Sequence, residues 1–431
     1  MSNMMNKAQG FGLSLITKIA GSEVLDQLKL RKFVEKSLYQ GSKTGFKVLN
    51  KTQKAFKPQA IDKQRLPNQV NKNLFDLSLT EEQQMTVDAM SQFAEEVLYA
   101  LAHDADHQAQ FPEQLWQHLV DLGLNYYALP EALGGVAAEQ NIVSNILIAE
   151  SLAKGDFSLT AGLLSTFSVI NAITRWGSTQ VQSMYLPVFA EDTDVTATFA
   201  FQEATPAFNP YQLKTTATEA NGQFYITGEK TLVILGDTAD VFLVSAEFNG
   251  QPDIFVVQSN ETIAIKANPA MGLKATETAT LHFNQTPALR LGDADFDYTA
   301  FVDLGNLMWC AMAIGTGEAI KAYCIKYANE RTAFGEPISH RQSVAFMIAD
   351  MAIEIDAMRM LVLNAASLAE AGQPFHREAY LARLLCAEKS MKIGTDGVQI
   401  LGGHGFTKEH PVERWYRDLR ATAILHSGLH A

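Results

Sequence analysis

The chain of 431 residues contains only three cysteines and no apolar run as long as a bilayer span. Cys310, Cys324 and Cys386 lie in apolar, helical patterns without paired or metal-type spacing, so we expect small core residues of a reducing compartment instead of disulfides. The apolar core of a secretory signal and the arginine-rich pattern of an organelle transit peptide are both missing. We therefore expect a cytoplasmic protein, with membrane association as an alternative.

A metal-binding pattern is missing as well. Two histidine pairs have the helical i,i+4 spacing, His103 with His107 and His426 with His430. Neither pair has the HExxH form or a third ligand nearby in the sequence. We expect no metal.

The net charge of −13 is divided unevenly along the chain. Residues 1–72 carry 14 Lys and Arg against 4 Asp and Glu, whereas the remaining residues carry 20 basic and 43 acidic side chains. Within residues 11–58, apolar and lysine positions alternate in a way that suits short amphipathic helices broken at Gly21 and Gly41. One interpretation is peripheral contact with an anionic membrane, and the other is packing across the acidic body of the protein. No nucleic-acid partner is expected.

The periodicity of the remaining sequence predicts an α+β fold. After a basic extension and linker over residues 1–75, we expect an N-terminal helical domain (76–195), a central antiparallel β domain (196–292) and a C-terminal four-helix bundle (300–431). Thr80 and Gln83 have the spacing of a helix-capping box. The predicted strands are residues 196–201, 223–227, 241–247, 254–258, 262–266 and 279–283, and Asn221–Gly222 and Asn249–Gly250 are typical of hairpin turns between them. The predicted bundle helices are residues 303–329, 342–371, 376–401 and 411–425.

The stretch from residue 330 to 351 contains a candidate anion site. Arg331 follows one long helix pattern, a Phe334–Gly335 turn comes next, and Gln342 opens a second helix pattern. A guanidinium binds two phosphate oxygens through paired donors, so this arrangement suits a pyrophosphate. The alternative is an ordinary helix–loop–helix link in which the arginine caps carbonyl groups.

Several segments resemble the acyl-CoA dehydrogenase family of flavoproteins. The specific ones are ERTAFGEPI (330–338), Arg341–Gln342, DGVQILGGHGF (396–406) and HPVERWYRDLR (410–420), and the weaker ones are LNYYALPEALGG (124–135), GSTQVQSMYLP (177–187) and MGLKATET (271–278). The resemblance covers residue 77 to the end of the sequence.

The resemblance implies FAD as cofactor and an acyl-CoA thioester as substrate. Arg331, Phe334 and Gln342 would contact FAD that is held mainly by a neighbouring subunit, in a homodimer or homotetramer. Gln399, Gly402 and Gly403 would bring backbone close to the adenosine-diphosphate half, which glycine allows because it has no Cβ. In the family, a glutamate removes the α-proton of the acyl group while flavin N5 takes hydride from the β-carbon.

The sequence departs from the family at the catalytic positions. His426 stands where the family glutamate belongs, and Gly305 stands where some branches place the base instead. Asn306 replaces a family arginine, and the chain ends at Ala431, before the last helix that family members usually carry. On the β domain, family residues near the flavin are replaced at four positions: Gln202 for threonine, Phe208 for serine, Leu232 for tryptophan and Ile234 for threonine. Of these, the resemblance still implies Gln202 as a residue that contacts FAD.

Three functional hypotheses follow from the resemblance and its departures. The first is a flavin-dependent acyl-CoA dehydrogenase of fatty-acid β-oxidation type with His426 as general base, since a neutral imidazole suits proton abstraction. The second is a catalytically impaired paralogue that acts as a binding or scaffold subunit. The third is a flavin-dependent monooxygenase on the same fold. The first is the expected function.

Overall fold

The computed structural model describes residues 78–136, 141–191 and 194–431. The extension predicted for residues 1–75, with its amphipathic segment 11–58, lies outside the described residues. The secondary structure of the described part begins with helices, continues with strands and returns to helices.

The N-terminal helical domain begins at the predicted capping box. The Thr80 hydroxyl accepts from the Gln83 amide and the Gln83 side chain accepts from the Thr80 amide, both at 3.1 Å. A π-helical turn (Ala94–Leu98) joins the first two helices. The helices of this domain are α1 (Glu81–Phe93), α2 (Tyr99–Gln108), α3 (Gln114–Leu122), α4 (Ile142–Leu152), α5 (Phe157–Trp176) and α6 (Thr179–Glu191).

Helix α5 lies at the centre of the fold. Among the described residues, it is the helix whose length and apolar composition would allow it to cross a membrane. However, 94% of its most apolar 18-residue stretch is buried inside the protein. Its first turn is capped by Asp156, whose carboxylate accepts from the Leu159 amide at 3.0 Å. The apolar composition of α5 is therefore that of a core helix.

The β domain is a seven-stranded sheet in which the pairings of β4, β2, β3, β7 and β5 form a closed ring. On β4, Phe242 and Val244 face a core inside the sheet, whereas Leu243 faces the helices, as the two-residue period of a strand requires. The strands are β1 (Ala197–Ala200), β2 (Thr216–Ala220), β3 (Gln223–Val233), β4 (Val241–Phe248), β5 (Gln251–Gln258), β6 (Ile263–Ala267) and β7 (Ala279–Arg290).

Two features of this sheet differ from the prediction. The sheet is not purely antiparallel, because β1 pairs with β4 in parallel; the chain between them forms the β2–β3 hairpin and returns in the same direction. The sequence prediction also omits β2, whose Thr-Ala-Thr-Glu-Ala text lacks an apolar alternation since most of its side chains are exposed. The turn predictions are confirmed: Asn221, Gly222, Asn249 and Gly250 all have the positive φ of hairpin turns.

The C-terminal helices form the predicted bundle. Its members are α7 (Tyr298–Glu330), α8 (Gln342–Glu370), α9 (His376–Leu401), α10 (Val412–Leu419) and α11 (Ala421–Ile424). The fourth helix, predicted as one segment over 411–425, is thus divided near Arg420. A small hairpin, β8 (Thr332–Ala333) with β9 (Glu336–Pro337), joins α7 to α8.

Arg417 and Asp418 of α10 tie the three domains together. The Arg417 guanidinium donates to both carboxylate oxygens of Asp106 on α2, at 3.0 and 2.8 Å, and to the carbonyl of Met271 after the β domain's strand β6, at 3.0 Å. Asp418 accepts from the Leu273 amide at 2.7 Å. A bidentate arginine–carboxylate pair is strong and directional, so this cluster fixes how the domains meet.

A second buried ion pair organises the sheet itself. Lys230 on β3 is fully buried and donates to Glu203 at 2.8 Å, to Ser245 at 2.9 Å and to the Phe201 carbonyl at 3.2 Å. Burial, partly offset by Glu203, lowers the pKa of Lys230 to about 8. Burial acts to raise the pKa of Glu203, but the Lys230 charge and the amides of Lys214 and Thr215 lower it overall. The pair joins the segment after β1 to β3 and β4.

Removal of one member of this pair is expected to destabilise the β domain strongly. Lys230→Met leaves the Glu203 charge buried without its cation, at a cost of roughly 3–5 kcal/mol. The measurement is the free energy of unfolding by urea denaturation. The double variant Lys230→Met with Glu203→Gln should regain part of the loss, and a double variant no more stable than the single one would contradict this account.

The stability of the domain junction should depend on pH through Asp418. Burial, with Asp156 nearby, raises the pKa of Asp418 to about 8, against the opposing effects of Arg417 and the Leu273 amide. In the unfolded chain the pKa of an aspartate is about 3.9, below the folded-state value of Asp418. The protonated Asp418 therefore contributes its full stability below that pH, and this contribution is lost as the pH rises through 8.

The Asp418→Asn variant removes this titration and keeps an acceptor for Leu273. Relative to the wild type, its free energy of unfolding should therefore improve from pH 6 to pH 9, by on the order of 2 kcal/mol. Urea denaturation of both proteins at matched pH measures the difference. A constant difference across this range would show that Asp418 does not titrate there.

Candidate active site

A β-bulge in β3 shapes the centre of the molecule. The register between β3 and β7 shifts between Lys230 and Val233, and Leu232 within the bulge has a φ of +51°. A leucine in the left-handed region is strained, and such strain concentrates at functional sites. The bulge places Leu232 between two neighbouring cavities, and its side chain lines both.

The smaller cavity has a volume of about 20 Å³ and brings distant segments together. Among its walls are Gln202, Leu232, Ile234 and His426, four positions at which the sequence departs from the family pattern. The remaining wall residues are Phe199, Phe201, Trp309, Leu425, Ser427 and Gly428. The predicted residues Gln202 and His426 are therefore neighbours in space, although more than 200 positions separate them in the sequence.

His426 is partly buried and lies edge-on to Phe208, with the ring centroids 6.2 Å apart. Burial and the nearby Arg383 guanidinium lower the pKa of His426 to about 4. The imidazole is therefore neutral at pH 7, with a lone pair on one ring nitrogen, but it binds a proton weakly.

Arg383 on α9 is a residue that the sequence analysis missed. Its Nη1 atom is buried without a hydrogen-bond partner in the described part of the chain. Burial lowers the pKa of Arg383, although the guanidinium stays charged near neutral pH. A lone arginine in an apolar helix pattern carried no signal of its proximity to His426.

Gln202 has one free hydrogen-bonding group at the smaller cavity. Its Nε2 atom donates to the Ile424 carbonyl at 3.3 Å, while its Oε1 atom is buried with no partner among the described residues. Ser427 also has a buried hydroxyl without a partner there. Buried polar atoms of native proteins are usually paired, so these two indicate where a ligand or a water molecule binds.

The larger cavity has a volume of about 400 Å³, within the usual range of small-molecule sites. It shares Leu232 and Leu425 with the smaller cavity. Its other walls are mainly apolar, with Arg417, Asp418 and Arg420 as charged members, and consist of residues 270–273, 416–418, 420, 421 and 424.

The remaining predicted cofactor residues lie at one end of the bundle. Arg331 follows α7, Gln342 opens α8, and Gln399, Gly402 and Gly403 end α9. The hydroxyl of Tyr327, near the end of α7, joins these ends through the Leu401 carbonyl at 3.4 Å and His404 Nδ1 at 2.8 Å.

Phe334, at the tip of the β8–β9 hairpin, is 96% exposed, and the Arg341 guanidinium lies 5.7 Å from its ring centroid. Within the described residues, the walls of the two cavities include none of this end-of-bundle group. Its contribution to FAD binding in a neighbouring subunit stays a prediction.

Across the same described ranges, no cluster of three His, Cys, Asp or Glu side chains could hold a metal ion.

Comparisons with known proteins cover nearly all of the described chain. Three family profiles match: the acyl-CoA dehydrogenase N-terminal domain over residues 80–193, the middle domain over 198–286 and the C-terminal domain over 299–428. An acyl-CoA dehydrogenase of Bacillus subtilis (strain 168) is 31% identical over 81% of this chain and 95% of the relative. A short-chain-specific acyl-CoA dehydrogenase of Megasphaera elsdenii is 30% identical over the same shares.

The fold agrees with these sequence matches. The solved structure of butyryl-CoA dehydrogenase from Megasphaera elsdenii superposes with a TM-score of 0.75 and 28% identity, covering 82% of this chain and 96% of that one. Proteins of this family are FAD-dependent oxidoreductases. This is an acyl-CoA dehydrogenase-like flavoprotein, and the chain belongs to the acyl-CoA dehydrogenase family.

Proposed function

We propose that the protein oxidises an acyl-CoA thioester between its α and β carbons, with His426 as the proton acceptor. The observation that carries this proposal is the convergence of positions 202, 232, 234 and 426 on one small cavity. These positions come from the segment after β1, from the last residues of β3 and the residue that follows it, and from the segment after α11. Their proximity supports His426 as the group that would remove the α-proton.

The larger cavity fits a flavin. Its volume and mainly apolar walls suit a planar aromatic ring system, and the cations of Arg417 and Arg420 are among its walls. When bound, FAD supplies the acceptor for the hydride of the β-carbon. At the far end of the bundle, Gly402 has a φ of +58°, and a Cβ added at Gly402 or Gly403 would meet no atom of the described residues within 4 Å. This open backbone suits close approach by a pyrophosphate.

The electrostatics of His426 limit the reaction. A carboxylate becomes neutral when it takes a proton, whereas His426 becomes a cation close to the Arg383 charge. A base with a pKa near 4 also has little driving force for removing a carbon-bound proton at pH 7. We therefore propose a slow dehydrogenase, with the proton-transfer step limiting.

We further propose a homodimer or homotetramer. Helices α8 and α9 expose large apolar side chains to solvent, more than half exposed in each case: Phe346, Ile353, Tyr380 and Leu384. Patches of this kind mark protein interfaces. An assembly through this face also gives Arg331, Phe334, Gln342, Gln399, Gly402 and Gly403 a partner subunit to contact.

A cytoplasmic location, and contact of residues 11–58 with anionic membrane, are proposals that rest on the sequence. A liposome pelleting assay compares the whole chain with a chain that starts near Asn73. Salt-sensitive pelleting of the whole chain alone would support the membrane contact, and equal pelleting would refute it.

The flavin reaction is tested by the visible spectrum of the purified protein. The FAD-loaded protein should show flavin absorbance that bleaches when octanoyl-CoA is added under anaerobic conditions, since hydride transfer reduces the ring. Butyryl-CoA and palmitoyl-CoA define the preferred chain length. Flavin bands that no acyl-CoA of this series bleaches would count against dehydrogenation of unbranched acyl thioesters.

Replacement of His426 tests the proton acceptor. Because His426 has a pKa of about 4, the bleaching rate should rise through that pH and stay level from pH 6 to 8. His426→Glu should raise the rate about 10- to 100-fold, since a carboxylate gains no positive charge beside Arg383. His426→Gln should abolish bleaching.

The control for these variants is the amount of FAD that each retains. If His426→Gln retains FAD and bleaches at the wild-type rate, another group takes the proton.

A further inference from the structure

The segment 427–431 fills the interior of the protein beside His426. Ser427, Leu429, His430 and Ala431 are all completely buried. The chain turns inward at Ser427 and Gly428, which have φ values of +47° and +80°. Two consecutive residues in the left-handed region make a sharp turn that the rest of the fold has to stabilise.

Specific contacts hold this segment. The Ser427 amide donates to Asn306 Oδ1 at 3.1 Å, and Trp309 Nε1 donates to the Ser427 carbonyl at 2.5 Å. Trp176 Nε1 donates to His430 Nε2 at 2.8 Å. The acceptor nitrogen requires a neutral imidazole at His430, and burial together with Arg175 lowers the pKa of His430 to about 3.

The segment lies against Gly305 on α7, at a distance that only glycine allows. A Cβ added at Gly305 would lie 2.5 Å from Ser427 Oγ, 2.6 Å from the Leu429 carbonyl oxygen and 2.7 Å from Ser427 Cα. Two of these atoms belong to backbone, which cannot rotate away as a side chain can. The close approach therefore depends on the absence of a side chain at position 305.

The location of this contact relates it to the substrate. Positions 426 and 305 are the two places where a proton acceptor is expected in this family, so the α-carbon of an acyl group has to reach the space between them. Residues 427–429 occupy that space. The cavity that remains, about 20 Å³, holds about one water molecule, which is less than any acyl thioester needs.

We propose that residues 427–431 are a self-inhibitory plug in the acyl site, and that an acyl thioester enters only after this segment leaves by pivoting at Ser427–Gly428. The proposal rests on the proposed function. Acyl binding competes with the plug, so the apparent affinity is the intrinsic affinity reduced by the fraction of molecules in which the site is open. The acyl site is therefore closed until residues 427–431 leave it.

The test uses Gly305→Ala in the FAD-loaded full chain, with Gly317→Ala on the same helix as its matched control. At Gly317 the nearest atoms to an added Cβ belong to the side chains of Ile355 and Ile393, at 3.3 Å or more, so that variant leaves the plug in place. Equilibrium dialysis with octanoyl-CoA gives the dissociation constant. Hydrogen exchange at residues 427–431 reports whether the plug has left.

Gly305→Ala should speed hydrogen exchange in this segment and tighten octanoyl-CoA binding at least tenfold, while Gly317→Ala matches the wild type. Where Gly305→Ala does not fold, Leu429→Asp expels the plug by placing a charge at a fully buried position. Equal affinity in all proteins despite fast exchange at 427–431 would overturn the plug and leave the proposed function intact. If no protein with the plug expelled binds octanoyl-CoA, butyryl-CoA or palmitoyl-CoA, the proposed function itself would be overturned.

Discussion

The pair Arg417–Asp418 is the constraint on which the rest of this structure depends. It joins the helical domain at Asp106, the β domain at Met271 and Leu273, and the bundle that carries it. Both residues also line the larger cavity. Because the same two side chains hold the domains in register and form a wall of the candidate flavin site, the geometry of the site is a direct consequence of domain packing.

The chemistry of the smaller cavity follows from the apolar side chains that stand there in place of the family's polar residues. Leu232, Ile234 and Phe208 surround His426 with apolar surface, and burial depresses the basicity of its imidazole. Arg383 adds a charge of the same sign as the one that proton transfer would create. The site combines a cavity of flavin size with a weak proton acceptor, which is the physical basis for a slow reaction.

Much of the fold was predictable because it depends on local patterns. The capping box at Thr80 and the Asn-Gly turns are confirmed, since each is set by side-chain chemistry within four residues. Strand β2 escaped prediction because its exposed side chains show no alternation, and the parallel β1–β4 pairing escaped it because strand order is decided by contacts distant in sequence.

The sequence by itself determined the family, the order of the three domains and the identity of the candidate cofactor residues, because each of these depends on short sequence motifs and local patterns. Only the tertiary structure decided the environment of those residues. It placed Arg383 beside His426, and it brought Ser427 against Gly305 across more than 120 positions of sequence. Burial and close approach are properties of packed surfaces. The type of an amino acid does not specify which residues pack against it in the folded protein.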